Sequence, residues 1–132
     1  VEAQGFGVQN TSDESMLTQV IAGTATVESR GLLRNGDRVG AIIWVDSPES
    51  KTYFTALKEA LLAAFTPAVQ DLRDVTLQDA GAPIRNLLTF LDPGLSEERL
   101  TFVRVRERIY EFHTAPGNEA IMDPMIEAVT KL

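Results

Sequence analysis

Asn35-Gly36 lies between two β-rich runs, and no other feature constrains the fold of this chain as strongly. A two-residue hairpin loop of type I′ needs positive φ at both central positions, which asparagine followed by glycine accepts at low cost. The pattern therefore predicts one strand over Thr24 to Leu33 and its partner over Arg38 to Val45. The partner holds Val39, Ala41, Ile42, Ile43, Trp44 and Val45, apolar on both parities. A strand of that kind is expected at the centre of a sheet, covered on both faces.

Helical signals flank the hairpin. Thr11-Ser12-Asp13-Glu14 has capping-box form and precedes Met16, Leu17, Val20 and Ile21 at helical spacing, with Gly23 to close the element. The same apolar residues also tolerate the start of a strand. After the hairpin, Ser47 suits an N-cap, Pro48 the first helical position and Glu49 the positive end of the dipole. Phe54, Leu57, Leu61, Ala64 and Phe65 then form one stripe, and Pro67 stops the helix.

The second half reads as strands followed by a helix. Val69 to Arg73 reads as an added helical turn, and Asp74 to Gln78 alternates as a half-buried strand. Ile84 to Leu91 is apolar enough for a strand, ended by Asp92-Pro93-Gly94. Leu100 to Thr114 has strong β propensity and reads as one long strand, closed by Pro116-Gly117-Asn118. Ile121, Met122, Met125, Ile126 and Val129 give Glu119 to Leu132 a helical period, with Pro124 either kinking that helix or capping a shorter one. The expected fold class is α+β, a single domain with a mainly antiparallel sheet of about five strands and two or three helices. The expected order is α-β-β-α-β-β-β-α. Residues 1–10 are expected as a flexible lead-in to one domain over 11–132.

Composition narrows the function classes. At 132 residues the chain buries about two-thirds of its unfolded surface, enough for a core without staples. Twelve basic and nineteen acidic residues give a net charge of −7. A field of that sign disfavours nucleic acid and anionic membrane surfaces as partners. The absence of cysteine excludes disulfides, thiolate catalysis and cysteine-ligated metals, and a single histidine excludes most histidine-built metal sites. No metal or cofactor is expected. Asp71, Asp74 and Asp79 lack the spacing of a calcium loop and read as turn aspartates. No apolar run approaches the roughly 18–20 residues that cross a bilayer. Cysteine-free composition and a start at Val1 lean the expectation towards an extracytoplasmic module.

Signatures of enzymes are missing: there is no GxSxG, HExxH, GxxxxGK[ST] or strand-borne GxGxxG. The stretch most suggestive of binding is Phe102 to Phe112. Strict alternation would place Phe102, Arg104, Arg106, Arg108, Tyr110 and Phe112 on one face. Arginine pairs bidentately with carboxylate or phosphate, and arginine with tyrosine is common in binding hot spots. The competing reading is a wet sheet face on which carboxylates neutralise the arginines across strands. A straight strand of this length would run to about 40 Å, so a bend or bulge near Arg106 to Arg108 is expected to swap the faces downstream. His113 ends the run beside Glu111. It reads as a general base if a carboxylate orients it, or else as a strand-end residue near the surface. Asp46 ends the central strand, where it can serve a ligand or help start the next helix.

These readings favour a non-catalytic interaction or structural domain, with another protein or a second copy as partner. The alternative is a small anionic-ligand domain or minor enzyme built on Arg104, Arg106 and Arg108 with Tyr110 and His113. A further alternative is an acidic dimeric chaperone or adaptor using Met122, Met125 and Ile126.

Overall fold

The computed structural model describes residues 7–9, 27–77 and 84–131. They form strands β1 (Gly7–Gln9), β2 (Val27–Arg34) and β3 (Asp37–Asp46), helix α1 (Ser50–Ala64), strands β4 (Gln70–Leu77), β5 (Arg85–Leu91), β6 (Arg99–Val105) and β7 (Arg108–Thr114), and helix α2 (Glu119–Thr130). One antiparallel sheet holds all seven strands in the order β1-β2-β3-β7-β6-β5-β4. The fold class is α+β, as the sequence implies. The helix expected over Thr11 to Gly23 lies outside the described residues. Within the stretch expected as lead-in, Gly7–Gln9 pairs with β2 as an edge strand.

The Asn35-Gly36 hairpin forms with both residues at positive φ, 54° and 84°. β3 lies inside the sheet between β2 and β7, and each of its faces carries a separate core. Ala41, Ile43 and Val45 pack with Phe54, Leu57 and Leu61 of α1 and with Leu88, Phe90, Leu100, Phe102 and Ile109. On the opposite face Ile42 packs with Tyr110, Phe112, Val103 and Leu87 beneath Met122 and Met125 of α2. Burying each large apolar side chain contributes roughly 1.5–3 kcal/mol. That is why an apolar run on both parities ends up between two helices.

The expected single strand over Leu100 to Thr114 is instead a hairpin. Arg106 and Glu107 form its turn, and Val105 pairs with Arg108. Arg106 takes φ 56°, a conformation with no glycine or asparagine to announce it. The local cost is met by tertiary contacts: Ser50 donates its hydroxyl to the Arg106 carbonyl at 2.7 Å, and the Ser47 amide donates to the Glu107 carbonyl at 2.8 Å. The reversal puts Arg104 and Arg108 on opposite faces of the sheet. Arg106→Gly relieves the positive φ and is expected to be neutral or stabilising by up to about 1 kcal/mol in urea denaturation; a marked loss would show that the side chain itself holds the turn.

Two boundaries also differ from expectation. Ser47 caps no helix: Glu49 precedes α1 without a side-chain cap bond, and Ser47 Oγ accepts from the Glu49 amide at 3.1 Å within the turn before it. Pro48 belongs to that turn. Residues expected as a helical turn over 69–73 largely join β4, whose ladder is interrupted between Gln70 and Arg73, with Asp71 at φ 52°. A bulge on an exposed edge erases the period of two that marks a strand.

Candidate functional site

β7 carries Ile109, Glu111 and His113 towards the α1 face, in register with Val45, Ile43 and Ala41 of β3. Gly40 lets the two strands meet here, since a Cβ at that position would lie 2.0 Å from the His113 carbonyl oxygen. Glu111 is fully buried and His113 is 5% exposed. His113 Nε2 and Glu111 Oε2 are 2.5 Å apart. On the other side of the ring, Nδ1 lies 3.6 Å from Glu98 Oε1. Arg38 in turn donates two bonds to Glu98, at 2.7 and 2.9 Å. A chain of alternating charge thus runs Glu111, His113, Glu98, Arg38, from the core to a partly exposed guanidinium.

Burial alone would push the imidazole towards neutrality. The hydrogen bonds and charges of Glu111 and Glu98 outweigh it and raise the His113 pKa to about 9. Desolvation likewise opposes the Glu98 charge, yet the bonds from His113 and Arg38 hold its pKa down to about 2. The ring is therefore an imidazolium at neutral pH, with no lone pair to act as a base. The structure corrects the reading of His113 as a near-surface strand end, because two covered faces leave the end of β7 inside the core.

This chain sets a pH window for stability. His113 titrates at 6.5 when unperturbed and about 9 when folded, so its contribution is complete below pH 6.5 and is lost as pH rises to 9. Glu98 falls from 4.5 to about 2, so its contribution is complete above pH 4.5 and is lost as pH falls towards 2. The urea midpoint is expected to be highest between about pH 4.5 and 6.5. The double variant His113→Leu with Glu111→Met, which removes both buried partners, should lose the alkaline decline, and a wild-type midpoint flat from pH 6.5 to 9 would contradict the arrangement.

The five residues singled out from the sequence do not converge. Arg104 points to the α1 face and donates to the Asn86 side chain at 2.8 Å and to the Arg106 carbonyl at 3.2 Å. Arg106 is exposed at the turn. Arg108 lies on the α2 face, where its guanidinium binds both Asp46 carboxylate oxygens at 2.7 Å and reaches the Tyr110 hydroxyl at 3.4 Å. Tyr110 shares that face, whereas His113 points away from it. The contiguous arginine face is therefore absent, because the turn separates its members. Asp46 neither caps α1 nor stands free: Arg108 holds its carboxyl below the usual range.

Among the described residues, two clefts open on the α2 face, one on each side of the helix. One, of about 550 Å³, is bordered by Arg73, Arg99, Asp71, Asp123 and Glu127, with the mutually bonded Thr89 and Thr101 hydroxyls in its floor. Its charges are mixed, and Arg99 pairs with Asp71 at 2.9 Å. The other, of about 410 Å³, is apolar: Trp44, Tyr110, Phe112 and Ile42 of the sheet face Met125 and Val129 of α2. The rings of Tyr110 and Phe112 stack 6.0 Å apart, and the Arg30 guanidinium lies 5.7 Å from the Trp44 ring centre. Neither cleft is lined by His113, Glu111 or Glu98. Among the described residues no cluster of three or more histidine, aspartate or glutamate side chains suits a metal ion, and no helix is long and apolar enough to cross a membrane.

Sequence reasoning missed Trp44, Glu98 and Arg38 as site residues. Glu111 and the sole histidine, two apart on one strand, were a signal that they share a face. The chain matches no protein-family model, and neither curated proteins nor solved structures yield a significant match.

Proposed function

We propose that the chain is a non-catalytic binding domain that receives its partner on the α2 face, at the aromatic cleft beside Trp44. One observation carries this reading: the sheet itself divides the molecule. The lone histidine and its bonded partner Glu111 are buried on the α1 side, and neither lines the two clefts on the other side. The anionic-ligand reading loses support because Arg104 and Arg108 already serve Asn86 and Asp46. The adaptor reading loses support because Met122 is fully buried in the core. Assay of the purified chain against hydrolase, transferase and oxidoreductase substrate panels tests the proposal. No turnover is expected, and turnover abolished by Glu111→Gln or Glu98→Gln would overturn it.

A further inference from the structure

Resting on that reading, we infer that the Trp44 cleft takes a small, flat, uncharged apolar molecule. Its volume of about 410 Å³ falls in the range of small-molecule sites, which run from about 300 to 1,000 Å³. Two of its sides are regular structure: the floor is the adjacent pair β3 and β7, and the other wall is α2, anchored by the buried Met122 and Met125. Aromatic rings supply large contact area with little loss of rotamer freedom, and three of them converge here.

Charge decides between neutral and anionic occupants. Arg108 is the one charged residue among the described residues lining the cleft. Both Asp46 oxygens neutralise it, and those bonds would have to break before an anion could use the same donors. Arg30, whose guanidinium lies over the Trp44 ring, is 3.7 Å from Glu28. The remaining field of the protein, at −7, repels anions further. A neutral molecule meets none of these costs. It also leaves the Tyr110 hydroxyl able to donate its proton to an ether or carbonyl oxygen at the end of the cleft, since the bond from Arg108 uses only an acceptor site.

The test uses two dyes of one skeleton, neutral N-phenyl-1-naphthylamine and its sulfonated relative 8-anilinonaphthalene-1-sulfonate. Both are titrated into the whole folded chain while energy transfer is read from Trp44, the only tryptophan. The neutral dye is expected to bind saturably and about tenfold more tightly than the sulfonate. Ala128→Phe, which fills the cleft from an exposed position on α2, should abolish transfer with the circular dichroism unchanged. Asp46→Asn, at an exposed pair that contributes little to stability, should free Arg108 and narrow or reverse the preference. Failure of the neutral dye to bind, equal binding in Ala128→Phe, or a sulfonate preference in the wild type would overturn the inference. Should Ala128→Phe not fold, the Asp46→Asn comparison decides alone. None of these results touches the turnover assay, so failure of the cleft assignment stays distinct from failure of the binding-domain reading.

Discussion

Replacing His113 with leucine is expected to destabilise the fold by about 3–5 kcal/mol, because it leaves a buried glutamate without its closest counter-charge. Glu111 has no solvent exposure and stands in register between Ile43 and Phe102, so water cannot take over the role of the imidazolium. The carboxylate then loses the bond that offsets most of its desolvation, which costs free energy. Glu98 fares better, since Arg38 still binds both of its oxygens. The double variant His113→Leu with Glu111→Met should recover most of the loss, because an apolar pair of similar volume needs no desolvation. Urea denaturation at pH 6 measures both. A single variant within about 1 kcal/mol of the wild type, or a double variant no better than the single, would refute the structural role.

Phe102→Ala should cost a similar amount, about 3–5 kcal/mol, through lost burial and the cavity left behind. Phe102 is completely buried and its ring stacks 6.3 Å from Phe90, tying β6 to β5 on the α1 face. It also stands directly opposite Glu111, so the opened space can admit water beside the carboxylate. His113→Leu in the Phe102→Ala background is therefore expected to cost less than in the wild type. A coupling of about 0.5–3 kcal/mol is typical for residues in such contact. Strict additivity of the two losses would mean that the cavity stays dry and that Glu111 is insulated by more than Phe102.

What could be read from the sequence depended on how local the cause was. The β2–β3 hairpin was legible because positive φ at Asn35 and Gly36 is a property of those two residues. The β6–β7 hairpin was not, because Arg106-Glu107 carries no turn chemistry and is held by Ser47 and Ser50 from more than fifty positions away. That single reversal undid the proposed arginine face, since each residue beyond the turn changes sides relative to an unbroken strand. Half of the ion chain was visible as Glu111 and His113 on one strand. Glu98 and Arg38 were not, as 60 residues separate these two and only the pairing of β3 with β7 and β7 with β6 brings them to the ring. The aromatic cleft needs α2 laid across β3 and β7, and no spacing in the sequence encodes that placement.

The division of labour across the sheet can be observed in one NMR experiment, because the chain has a single histidine and a single tryptophan. The imidazole of His113 and the indole of Trp44 are followed from pH 5 to 10, with and without N-phenyl-1-naphthylamine. The imidazole is predicted to remain protonated through neutrality, to titrate near pH 9 and to ignore the dye, while the indole shifts with it. An imidazole that titrates near its ordinary 6.5, or that moves on dye addition while the indole does not, would contradict the account.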